Sequence, residues 1–113
     1  MTVRPGDLMS ASVTVVGDHV TVKLTDRTRH KSFSKAVNES VVDVTSADWI
    51  VEAPSDCLND NYCRTMPLAD FGSADFTGAS AHTTSGRRGS ISSYLWGYSK
   101  ITLAPSGRRY CAG

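Results

Sequence analysis

Strict alternation is the feature that most constrains this chain. Between Ser10 and Val16, Ala11, Val13 and Val15 fall on one side, and Ser12, Thr14 and Val16 fall on the other. A two-residue period belongs to a strand and not to a helix. Gly17-Asp18 follows, and His19 to Leu24 then repeats the pattern, with Val20, Val22 and Leu24 opposite His19, Thr21 and Lys23. Two intervening residues with Gly first suit a type II′ turn, so the two runs predict a hairpin. Thr25-Asp26-Arg27-Thr28 reads as the next turn. Beyond it, Lys31, Phe33, Lys35 and Val37 alternate with Ser32, Ser34 and Ala36, which predicts a third strand.

Further along, Val41 to Val44 fits a short strand or an extended link. Asp48 to Glu52 predicts a sharper strand, with Trp49 and Val51 on one face and Asp48, Ile50 and Glu52 on the other. Pro54 ends it, because proline cannot donate to a sheet ladder. Cys57 to Cys63, with Asn59-Asp60-Asn61 between, reads as a loop. Short strands are expected at Leu68 to Phe71 and Ala74 to Thr77, pivoting on Gly72. Residues 82 to 90 read as a polar loop, and Ser92 to Tyr98 and Ile101 to Leu103 as the last strands. Seven or eight short strands at roughly 8 to 12 residue spacing, with no helical period, predict an all-β antiparallel sandwich.

Composition narrows the function classes. A length of 113 residues allows one domain, expected over residues 1 to 104 and followed by a basic tail at 105 to 113. Twelve Lys and Arg balance eleven Asp and Glu for a net charge of +1, which offers no basic surface for nucleic acid. No run approaches the roughly 18 to 20 apolar residues of a membrane helix. Met1 to Asp7 has no apolar core of a secretory signal, so either the chain is cytosolic or its start is not the original one. The chain holds two glutamates, Glu39 and Glu52, and no glutamine.

Several residues could carry chemistry. Glu52 is either a solvated strand-end carboxylate or a site residue lining a groove, where partial burial would suit it to general acid or base work. Cys57 and Cys63 could form a disulfide or remain free thiols. A zinc site from Cys57, Cys63, Cys111 and His82 would gather ligands from distant loops without any short ligand pair, so neither metal nor cofactor is expected. His19, His30 and His82 are not placed beside a thiol. The Arg87-Arg88 and Arg108-Arg109 pairs read as solvated surface. Tyr94, Trp96 and Tyr98 on one strand face could form an aromatic platform or pack between sheets.

Two segments carry a resemblance. Ser46-Ala47-Asp48-Trp49-Ile50-Val51-Glu52-Ala53-Pro54-Ser55, followed by Pro67-Leu68-Ala69-Asp70-Phe71-Gly72-Ser73-Ala74-Asp75-Phe76-Thr77-Gly78-Ala79, closely resembles the glutamic peptidases, or eqolisins, with a bacterial-type Ala-Pro-Ser after the Glu. Val3 to Asp7 and the hairpin Ser10 to Leu24 resemble the strands before that motif, so the likeness runs from about Val3 to about Leu103. It implies a sandwich of two large antiparallel sheets and a secreted endopeptidase acting in acid on protein or peptide substrates. It also implies a Glu/Gln dyad: the Glu activates a water and then protonates the leaving amine, while the Gln amide stabilises the tetrahedral intermediate.

By motif, the catalytic glutamate is Glu52, and it is the only residue the motif assigns; Asp48, Ile50 and Pro54 are candidate substrate-groove positions. Pro54 stands where the family carries an aromatic. The partner Gln belongs to the family's N-terminal half, and this chain contains none. The sequence therefore resembles the C-terminal half of the family, shortened at both ends, as a gene fragment or misplaced start would leave it. The expectation is a peptidase by descent that is inactive alone, with open sheet edges that invite self-association. The alternative is a non-catalytic sandwich binding peptide or carbohydrate on the aromatic face.

Overall fold

The computed structural model describes residues 1 to 103, and the expected tail at 105 to 113, with Cys111, lies outside them. Seven strands occur in chain order: β1 (Met9–Val16), β2 (His19–Asp26), β3 (Lys31–Asn38), β4 (Ser55–Asn59), β5 (Tyr62–Thr65), β6 (Ser80–His82) and β7 (Arg88–Ser90). Every pairing is antiparallel, and no helix occurs among the described residues. The all-β expectation is met. Chain contacts divide into two compact units, Met1–Ser46 and Ala47–Gly113.

The first unit is the meander β1-β2-β3. Its register sets Val13 opposite Val22 and Val22 opposite Lys35, with Leu24 between Ala11 and Phe33, and Val20 between Val15 and Val37. The alternation read from the sequence thus becomes one apolar face. Ser10, Ser12, Thr14, Thr21, Lys23, Ser32 and Ser34 make the polar one. The turn at Gly17-Asp18 takes a positive φ of 63° at Gly17, and no other residue of β1, the turn or β2 has one. That geometry suits Gly, because residues with a Cβ rarely adopt a positive φ, although the space around Gly17 is open.

The apolar face is not sealed. Val13 is 66% exposed, Phe33 51% and Val22 42%, and among the described residues no apolar side chain is buried. Among the described residues, Asp26 alone is fully buried.

The second unit holds two hairpins, β4-β5 and β6-β7. The first replaces the loop expected at Cys57 to Cys63. A two-residue turn, Asp60-Asn61, closes it, Asn59 Oδ1 accepts the Asn61 N–H at 3.0 Å, and a bulge near Leu58 shifts the register. The second replaces the expected polar loop: Thr83 Oγ1 accepts the Arg87 N–H at 3.1 Å, and Thr83 N–H donates to the Arg87 carbonyl at 2.8 Å. A hydroxyl satisfying its own turn lets a polar stretch form a ladder that its composition does not announce.

Conversely, the strands expected at Asp48 to Glu52, Leu68 to Phe71, Ala74 to Thr77, Ser92 to Tyr98 and Ile101 to Leu103 are not formed. Alternation marks a residue run as capable of pairing, and these runs have no ladder partner among the described residues. Ser92 to Trp96 instead folds into successive turns, with Ser93 N–H donating to the Ser90 carbonyl at 3.0 Å.

Replacing Gly17 by Val is expected to destabilise the first unit by about 1–2 kcal/mol, the cost of forcing a side chain into the left-handed region. Urea unfolding followed by circular dichroism measures it, and a D-alanine at the same position should restore the loss.

Candidate functional site

Glu52 lies in the extended segment between the two units' strands, on no ladder, with its side chain exposed. Asp48 and Pro54 are exposed as well, Ile50 is 47% exposed, and Trp49 and Val51 are half-buried. The difference between Trp49 and Val51 and the alternate residues Asp48, Ile50 and Glu52 therefore survives without a strand. Among the described residues no ion pair involves Glu52. Its carboxylate is open to solvent and to an incoming group.

What positions this segment is the hairpin that follows. Pro54 cannot donate, but its carbonyl accepts the Met66 N–H at 2.8 Å, one step beyond the Ser55–Thr65 pair. The chain entering β4 is therefore held against the chain leaving β5. Glu52 stands two residues before that bond, and Pro67-Leu68-Ala69-Asp70-Phe71-Gly72 begins immediately after it. Two segments separated by a dozen residues in sequence leave from the same end of one hairpin.

A covalent staple closes the hairpin. Cys57 and Cys63, directly opposite in the ladder, are joined as a disulfide with Cα atoms 4.1 Å apart. Neither thereby offers a thiolate as nucleophile or metal ligand. Arg64 Nη2 adds an exposed ion pair to Asp56 at 3.3 Å, of small energetic weight. In the second motif segment Asp70 is not free: its Oδ1 accepts the Gly72 N–H at 3.1 Å, and Gly72 takes a φ of 72°.

The aromatic residues do not share a face. Tyr94 is 96% exposed and Tyr98 65% exposed. Trp96 turns in, its indole N–H donating to the Ser90 and Ile91 carbonyls at 3.2 Å each. Its ring packs over Gly89, where an added Cβ would lie 3.5 Å from Cζ2 and only 2.8 Å from the Ser93 side chain. The close approach of these two side chains to the Gly89 backbone leaves no room for a Cβ there.

One cluster escaped the sequence reading. Asp7, Asp26 and Arg29 converge in the first unit: Arg29 Nε lies 3.0 Å from Asp7 Oδ2 and 3.8 Å from Asp26 Oδ2. The signal was present, since Asp26 continues the apolar series Val20, Val22, Leu24 on one strand face. Reading Thr25 to Thr28 as a turn hid it.

Removing the staple in the Cys57→Ser, Cys63→Ser double variant is expected to cost roughly 2 kcal/mol of local stability, from the short loop it closes. The Met66 amide, which is bonded to Pro54, should then exchange with deuterium about 10-fold or more faster, measured by native-state hydrogen exchange.

No curated protein and no solved structure matches the chain. A family model described as the peptidase A4 family matches residues 1–102. That span takes in the meander, both motif segments and the stapled hairpin, and the chain belongs to this family, the glutamic peptidases.

Proposed function

We propose that this chain is the Glu-bearing part of a secreted, acid-acting glutamic endopeptidase, with Glu52 as general base toward water and then general acid toward the leaving amine. The observation that supports this reading most directly is the family match across Trp-Ile-Val-Glu and Leu-Ala-Asp-Phe-Gly, with Glu52 exposed and in no ion pair among the described residues, in one of the two segments that leave the same end of the hairpin.

The chemistry asks for two functions. A carboxylate must take a proton from water and return it to the amine, and a neutral donor must stabilise the oxyanion. Glu52 can supply the first. The second, the glutamine of the family's dyad, has to come from outside these 113 residues, because no glutamine is present. Missing one oxyanion donor costs about 10² to 10³ in rate, so the chain alone is proposed to be inactive or nearly so. A second copy would bring a second Glu52 and still no glutamine. The outer edges of β1 and β3, each paired only with β2 among the described strands, are the proposed route of self-association.

Cleavage of a protein substrate at about pH 3 to 4 tests the reading. The chain alone is expected at background. Co-expression with the N-terminal half of a glutamic peptidase should give cleavage about 10²- to 10⁴-fold above that of the same complex carrying Glu52→Gln. Equal rates for the two complexes would remove Glu52 from catalysis.

A further inference from the structure

Charge in the first unit is sorted by depth and by end. At the β2–β3 turn, Arg27, Arg29, His30 and Lys31 fall within five consecutive residues. Arg4 belongs to the same end, because its backbone N–H and Arg29 Nε both donate to Asp7 Oδ2, at 2.8 and 3.0 Å. The two acids here are enclosed: Asp26 is fully buried, and 6% of the Asp7 side chain is exposed. Arg29 serves both, 3.0 Å from Asp7 and 3.8 Å from Asp26. Arg4, Arg27, His30 and Lys31 are exposed instead, and among the described residues none of them forms an ion pair.

Four Arg and Lys at this end stand against two carboxylates, so it carries more positive charge than the net +1 of the whole chain. Asp18 and Glu39, both exposed, stand at the meander's other end, where the Glu39 N–H donates to the Asp18 carbonyl at 2.7 Å. Balance over the chain hides a separation within one sheet.

An apolar residue is fixed inside the basic end. Leu8 N–H donates to Thr28 Oγ1 and the Leu8 carbonyl accepts the Arg27 N–H, both at 2.8 Å, yet Leu8 is 60% exposed, and Val3 is 46% exposed. Both backbone groups of Leu8 are thus tied to the turn while its side chain meets solvent. The turn also holds His30 at a φ of 56°, where every other described residue with a positive φ is a glycine. Glycine would adopt that conformation free of strain, so the position keeps an exposed imidazole at a cost.

We propose that the β2–β3 turn and the N-terminal segment form a docking surface for an anionic lipid bilayer. Arg4, Arg27 and Lys31 pair with headgroup phosphates, His30 donates to them, and Leu8 and Val3 enter the boundary between headgroups and acyl chains. Each cation near an anionic bilayer contributes about 5-fold in affinity, and an inserted apolar side chain supplies the second signal that stable surface binding requires. Such a contact lies on the bilayer and uses no membrane-crossing helix. A soluble polyanion would engage the cations but would make no use of Leu8, and Arg27 to Lys31 include no aromatic on which a base could stack. Glu52 belongs to the second unit, so this docking is separate from the peptidase chemistry.

The experiment is flotation of the full chain with vesicles of equal parts phosphatidylglycerol and phosphatidylcholine, and with phosphatidylcholine alone. Flotation separates vesicle-bound chain from self-associated chain, which sediments. The chain is expected to float with the anionic vesicles only, and binding is expected to fall steeply at about 1 M salt, where the screening length is about 3 Å. Arg27→Ser, Lys31→Ser is expected to weaken binding about 25-fold, whereas Lys23→Ser, Lys35→Ser, which removes the same charge from the strands, is expected to cost less than about 5-fold. Leu8→Ser is expected to cost about 5- to 10-fold on vesicles and to leave retention on immobilised heparin unchanged. Circular dichroism establishes that each variant keeps the wild-type strand signal. Absence of flotation with anionic vesicles, or equal losses from the two double variants, would overturn the proposal. A Leu8→Ser chain that floats like wild type would overturn it as well, in favour of a soluble polyanion.

Discussion

The backbone ladder through β2 is the interaction on which the first half of the chain depends. Eight residue pairs join β2 to β1 and eight join it to β3. Apolar burial does not share the task in the usual proportion, since no apolar side chain among the described residues is buried. Each ladder bond is worth only about 0.5–1.5 kcal/mol net, and conformational entropy opposes every ordered residue. The turn geometry at Gly17 and the buried polar lock at Asp26 therefore matter more here than they would above a filled core.

The same condition explains the character of the surface. Val13, Val22 and Phe33 stand on one face of a well-registered sheet, where a sandwich fold would bury them against a second sheet. The peptidase family to which the chain belongs and the open apolar face are two views of one architecture: strands patterned for a core, with the pattern present and the core unfilled. In the second unit, a disulfide and a short hairpin do the positioning that packing would otherwise do, keeping the Glu52 segment and the Leu68 to Gly72 segment at one end.

Legibility followed the type of signal. The three long strands were readable because alternation, a Gly-first turn and a matching third run agree with one another, and β1, β2 and β3 fall within two residues of the expected bounds. Short runs misled in both directions. Trp49 and Val51 alternate with Asp48 and Ile50 yet join no ladder among the described residues, while Ser80 to His82 and Arg88 to Ser90 pair with almost no apolar pattern, through Thr83 and the turn it braces. Trp96 was expected on a flat strand face and instead closes over Gly89.

By itself, the sequence determined the strand class, the family and the identity of the single motif glutamate, because side-chain period and a contiguous motif are written along the chain. Only the tertiary structure decided that Pro54 bonds to Met66, that the two cysteines face each other across a ladder, and that Asp26 is sealed beside Asp7. Those outcomes depend on which distant backbone groups find each other, and a one-dimensional pattern of polarity carries no record of that choice.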